Sequence, residues 1–130
     1  MTKQLALLYN VAGSRRKQIE MLAAILNIKT KTVAPSEYGV SVGALCGLEE
    51  YEDAPQGLWN DFDEEMMVMA FFPQPLIQRF LDAFRQTGVP SVRLKAVLTG
   101  VNSRWNSCQL RAELLREEAA FRARDGRPSQ

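Results

Sequence analysis

Four residues along one stretch of this 130-residue chain carry the most suggestive chemistry: Lys95, Thr99, Asn102 and Trp105. Lys95 interrupts the apolar run LKAVLT, and beyond that run a hydroxyl, a carboxamide and a helix start gather. A lysine beside the free N–H groups of a helix N-terminus favours a carboxylate or phosphate. The competing reading makes Asn102 a cap, Trp105 a core residue, Thr99 a strand end and Lys95 a solvated charge guarding an exposed strand face. Caps and core aromatics are far commoner than sites, so this second reading is the default.

Two further groups could do chemistry by contact. Tyr51, Trp59 and Phe62 lie among acids in EEYEDAPQGLWNDFDEE, residues 49–65, and aromatics flanked by carboxylates can dock into a basic groove on a partner. Their alternative is to fold back onto the chain's own basic surface. Gly39, Gly43 and Gly47 recur every fourth residue in SEYGVSVGALCGL, where a helix would place them on one stripe. Glycine costs about 0.5–1 kcal/mol against alanine inside a helix, so a stripe implies tight packing, either on the chain's own sheet or, as a second reading, across a homodimer seam.

The remaining candidates are weaker. NVAGSRRK after the first apolar run has Gly, Ser and basic residues but neither phosphate-loop pattern. Asp61, Asp63 and Glu65 alternate as in a calcium loop, without its glycine or its final glutamate. Glu64 with Glu65, and Glu117 with Glu118, are sequence neighbours that face different ways on a strand or helix, so neither forms an acid/base pair. The chain has no histidine, which excludes imidazole bases, Ser-His and Cys-His nucleophiles and histidine-ligated metals. Cys46 and Cys108 form no CxxC and read as buried thiols. No catalytic residue, cofactor or metal site is assigned.

Composition frames these residues. With 46% hydrophobic and 24% charged residues and a net charge of +1, the chain reads as one globular domain, residues 1–130, and its charge favours neither nucleic acid nor an acidic membrane surface. Leu5 to Tyr9 is too short for a signal segment and no run suits a membrane span, so a cytoplasmic protein is expected. The charge is segmented: +4 over residues 1–48, −8 over 49–65 and +5 over 66–130. The acidic part holds Pro55 and Gly57, has no apolar period and reads as a connecting loop, long enough to be functional or mobile.

On either side of that loop the same order of signals recurs. KQLALLY reads as a buried strand; Ser14 caps a helix with Ile19, Leu22, Ala23, Ile25 and Leu26 inward; KTKTVA is a second strand that Pro35 ends; and Ser36 opens a second helix. Then EMMVMAFF reads as a central strand, Pro75 starts a helix with Leu76, Ile77, Phe80, Leu81 and Phe84 inward, and Gly88 ends it. SVRLKAVLT follows as a strand with Val92, Leu94, Ala96 and Leu98 on one face. A last helix from Asn102 or Ser103 to about Arg124 turns Trp105, Leu110, Leu114, Leu115 and Phe121 inward, and the tail from Asp125 frays. The expected fold is α/β: a four-stranded, mostly parallel sheet from two β-α-β-α halves, 1–48 and 66–130, with helices packed on it. In a parallel sheet Asn10–Arg15, Pro35–Glu37, Phe72–Gln74 and Thr99–Trp105 would share one rim.

LKAVLT followed by Asn102 and Trp105, together with the MMVMAFF strand and the helix after it, resembles a small bacterial family, domain of unknown function 3783. The strong part of the resemblance covers roughly residues 64–122, and Gly100 and Val101 stand where that pattern favours a Pro-Thr-like turn. The resemblance implies no known activity, substrate or cofactor. The function expected is therefore a non-catalytic binding or regulatory module acting through protein contacts of the acidic loop, with a homodimer as a further expectation. The alternative is a binder or enzyme for a small anion at the strand-end rim.

Overall fold

The computed structural model describes residues 3–125 except 56 and 58; of the tail expected to fray, residues 126–130 lie outside the described residues. Four apolar or β-branched runs form the strands, β1 Leu5–Tyr9, β2 Lys29–Thr32, β3 Met66–Ala70 and β4 Leu94–Val97. They assemble as one open α/β sheet in the order β2-β1-β3-β4. Helix α1, Gly13–Ile25, links β1 to β2, and α3, Gln74–Thr87, links β3 to β4. Each link joins parallel neighbours, as helical crossovers do. The chain between β2 and β3 includes the four-residue helix α2, Val42–Leu45, and α4, Ser107–Asp125, ends the fold.

Both faces of the sheet are covered. Ala6, Leu8, Met67 and Met69 pack under α1 and α3 with Ile19, Leu22, Phe80 and Phe84. On the other face Leu7, Tyr9, Met66, Val68, Leu94 and Ala96 pack with Tyr38, Val42, Leu45, Phe62 and Leu110. All five β3 residues are buried, which explains why that run is continuously apolar rather than alternating. Pro75 lies in the first turn of α3, and Gly88 ends it in the left-handed conformation at φ +76°.

The expected mostly parallel sheet is corrected in its centre. β1 and β3 run antiparallel, with Leu5 opposite Ala70 and Tyr9 opposite Met66. A short crossover helix forces its strands parallel, but the long β2–β3 connection has no such constraint and returns in the opposite sense. The single rim is therefore lost. The carboxyl ends of β1 and β2 lie at one end of the sheet and those of β3 and β4 at the other. Arg15, just beyond β1, accordingly bonds Glu65 and the Pro90 and Ser91 carbonyls, all at the amino ends of β3 and β4.

Smaller corrections share one cause, tertiary contact overriding local pattern. Ala12, not Ser14, precedes the first turn of α1. Val92 joins the core under α1 and α3 while Leu94 joins the opposite one, because the chain bends before β4 begins. α4 starts at Ser107 after a separate 3-10 turn, Asn102–Arg104. Ile25 and Phe121, expected inward, are 74% and 59% exposed. The helix expected from Ser36 through the three glycines is instead a 3-10 turn, Pro35–Glu37, followed by α2.

Candidate functional site

β4 is an edge strand, and its outer edge explains Asn102. The N–H groups of Leu94 and Leu98 bond Glu65 O and Met69 O, so the alternate residues Lys95, Val97 and Thr99 turn their backbone groups outward. The Asn102 carboxamide meets two of these groups at once: Nδ2 donates to the Val97 carbonyl at 2.9 Å, and Oδ1 accepts from the Thr99 N–H at 2.8 Å. One amide thus stands in for the missing neighbour strand. Thr99 Oγ1 in turn accepts from the Asn102 N–H at 3.0 Å. Both side chains are committed within the fold.

Lys95, Thr99, Asn102 and Trp105 do line one open groove along the β4 edge, but Glu113 and Glu117 of α4 line it too. Those carboxylates oppose a small anion. Lys95 Nζ donates to Ser91 Oγ at 3.0 Å and to the Val92 carbonyl at 2.8 Å, toward the amino end of β4 and away from Thr99. Partial burial lowers the pKa of this ammonium. Trp105 packs against the core that holds Tyr38 and Leu110, and its carbonyl accepts from the Val42 N–H.

The acidic segment is anchored through its aromatic rings. Phe62 is buried and stacks on Tyr38, with centroids 4.4 Å apart, and on Tyr9 at 6.0 Å. Tyr51 donates or accepts a hydrogen bond with Ser103 Oγ at 2.9 Å. Trp59 is 36% exposed. Two of the glycines are the seats of these rings. A Cβ on Gly39 would lie 2.5 Å from the Trp59 ring, and one on Gly43 would lie 2.7 Å from the Tyr51 ring and 2.9 Å from the Ser103 carbonyl. Gly47 has open space around it and a φ of +90°, so it serves a turn. The fourfold spacing thus reflects two separate ring contacts and one turn rather than a helical stripe, and the chain's own rings fill the space over Gly39 and Gly43.

Two arginine clamps fix the end of the segment, where sequence reasoning weighed Glu64 and Glu65 as an acid/base pair and Glu65 as part of a calcium loop. Glu64 takes a bidentate bond from Arg111 at 2.7 and 2.8 Å, and Glu65 takes one from Arg15 at 2.7 Å twice. Arg111 also lies 5.2 Å from the Phe62 ring centroid, a cation–π arrangement. Its guanidinium holds the Glu64 carboxyl down at about 2. Because Glu65 is engaged by Arg15, the Asp61–Asp63–Glu65 alternation forms no calcium loop. Among the described residues no cluster of three His, Cys, Asp or Glu could hold a metal ion.

Sequence reasoning also missed a buried hydroxyl network. Tyr9 OH and Ser107 Oγ, both fully buried, share a hydrogen bond of 2.7 Å, and Tyr38 OH donates to Asn10 Oδ1 at 3.2 Å. Asn10 Nδ2 reaches on to the Phe62 and Glu64 carbonyls. Desolvation raises the pKa of both tyrosines, which keeps them neutral donors. A tyrosine closing a buried apolar strand was the available signal, since a buried phenol needs a partner.

What remains outward is charge. Glu49, Glu50, Glu52, Asp53, Asp61 and Asp63 are all exposed, and none enters an ion pair among the described residues. The segment is thus a strap seated through its rings and its last two carboxylates, with six other carboxylates outward. Among the described residues no helix is long and apolar enough to cross a membrane. Comparison with curated proteins and with solved structures finds no match. Residues 65–121, from the edge of β3 through most of α4, match the model of a family described as Domain of unknown function (DUF3783), the family that the β4 motif and its Asn102 plug resemble.

Proposed function

We propose that this chain is a non-catalytic binding module, a single cytoplasmic domain of two β-α-β-α halves whose acidic connecting segment presents a preorganised anionic face to a basic protein partner. The observation that carries this reading is the seating of Tyr51, Trp59 and Phe62 on the body of the protein while six carboxylates of the same segment stay exposed. Six like charges repel one another, and a free loop would spread to relieve that repulsion. Anchoring holds them together, which concentrates the field and speeds encounter with a cationic surface. Rigidity also spares a partner the ordering cost of a flexible loop.

The test neutralises charge and leaves the anchors alone. Glu49→Gln, Glu52→Gln, Asp53→Asn, Asp61→Asn and Asp63→Asn are combined in one chain, and binding of labelled deca-arginine is measured beside quantitative recovery of cell proteins. The combined variant is expected to lose at least tenfold in deca-arginine affinity and to lose the partners that the native chain recovers. The native chain should release both as salt rises from 0.05 to 0.5 M, because screening shortens the reach of exposed charge. Equal recovery by native and neutralised chains refutes the reading.

A further inference from the structure

Beyond the carboxyl ends of β3 and β4 lies a groove of about 320 Å³ whose lining includes Leu48, Glu50, Tyr51, Phe71, Phe72 and Gly100. Phe71 packs against the core that holds Tyr38, and Phe72 packs against the opposite core, its ring centroid 5.9 Å from that of Phe80. Phe71, just past β3, has a left-handed backbone at φ +66°. Tyr51 is fixed by its bond to Ser103 and by its seat on Gly43. Three aromatic residues, Tyr51, Phe71 and Phe72, therefore line the groove.

Its chemistry selects the occupant. Among the described residues Glu50 is the one ionised residue that lines it; it is exposed and has Glu49, Glu52 and Asp53 as exposed neighbours in sequence. An anion would be repelled there, and a purely apolar group would strip water from Glu50 without replacing it. An arginine side chain satisfies both demands: its methylenes suit the apolar walls, and its planar guanidinium can stack on a ring and bond a carboxylate in bidentate fashion. A lysine ammonium holds its water more strongly and gains less from stacking.

We propose that this groove receives an arginine side chain of the basic partner, its guanidinium stacked on the aromatic wall and paired with Glu50. The proposal rests on the reading of the acidic segment as a binding face and names the pocket beside that face.

The probe is N-acetyl-arginine methylamide, titrated into the isotope-labelled full chain with amide chemical shifts as the readout. Saturable shifts are expected at Phe71, Phe72, Thr99 and Gly100. The uncharged citrulline analogue should bind about tenfold more weakly and the lysine analogue at an intermediate level. Glu50→Gln should weaken arginine binding by about three- to tenfold. Gly100→Trp should abolish it by filling the groove, since a Cβ at Gly100 meets nothing within 4 Å; Val97→Arg, which sets a fixed cation at the groove wall, serves if that variant does not fold. Equal binding of the citrulline analogue, shifts spread evenly over all the exposed carboxylates, or undiminished saturation in the blocked variant would overturn the pocket. If arginine fails to enter while the five-fold neutralised chain still loses its partner, the pocket falls and the acidic face stands. If arginine saturates the groove but neutralisation leaves partner recovery unchanged, the pocket stands and the acidic face falls.

Discussion

Replacing Asn102 with alanine removes two hydrogen bonds to the β4 edge, those to the Val97 carbonyl and the Thr99 N–H, while the backbone bond from Asn102 N–H to Thr99 Oγ1 remains. Each net bond contributes about 0.5–1.5 kcal/mol. Asn102 is 8% exposed, so its own carboxamide is mostly dry, but its partners Val97 and Thr99 are exposed and water can reach the orphaned groups. The cost should therefore fall near about 2 kcal/mol, which in a chain of this size lowers Tm by roughly 6–8 °C. Asn102→Asp sharpens the test. The introduced carboxyl can still accept from Thr99 N–H but sets a second oxygen against the Val97 carbonyl, so its ionised form is disfavoured in the fold. Its pKa is raised above the unfolded value of about 3.9, and the variant should recover stability relative to the native chain as pH falls toward that value, when the protonated carboxyl can donate to Val97. Urea unfolding at pH 7 and pH 4 measures both effects. An alanine variant within about 0.5 kcal/mol of the native chain, or an aspartate variant whose deficit is the same at both pH values, would refute the edge-plug account.

The other expectations follow from the strap and its anchors. Gly43→Ala should destabilise by about 2 kcal/mol through the 2.9 Å approach to the Ser103 carbonyl, a backbone atom that cannot step aside. Gly39→Ala should instead displace the Trp59 ring and shift its fluorescence to the red, and an unchanged spectrum would contradict the seating. The Glu64 carboxyl, held at about 2 by Arg111, contributes stability that is present above its unfolded value of about 4.3 and lost as pH falls toward 2. Arg111→Met should therefore flatten the decline of Tm between pH 5 and pH 2, and identical slopes would count against the clamp. Burial pushes the Cys46 thiol up to about 12, so iodoacetamide at pH 8 should leave it unmodified until the chain unfolds; labelling of Cys46 in native protein would show that it is exposed.

The order of strands and helices could be read locally because each rests on local pattern. The buried run from Met66 to Ala70, the stripe of Leu76, Phe80 and Phe84, and the Gly88 stop announce themselves in any window of about a dozen residues. Asn102 reads as a helix cap, yet α4 starts at Ser107, where Asn106 Oδ1 accepts from the Gln109 N–H; the role of Asn102 at the edge of β4 was not legible, because it depends on which side of the strand has a neighbour. The glycines misled for the same reason: spacing cannot tell a helical stripe from two seats for distant rings.

By itself, then, the sequence determined the four strands and the helices α1, α3 and α4 in outline, the acidic character of residues 49–65 and the absence of imidazole chemistry, all properties of neighbouring residues. Only the tertiary structure decided that β1 and β3 run antiparallel, which separates the strand ends into two rims. It also decided that Glu64 and Glu65 pair with Arg111 and Arg15, and that Trp59 and Tyr51 rest on Gly39 and Gly43. These are contacts between residues far apart in sequence. A long connection leaves them free in principle, and they are fixed by the burial and charge pairing that the whole chain can satisfy at once.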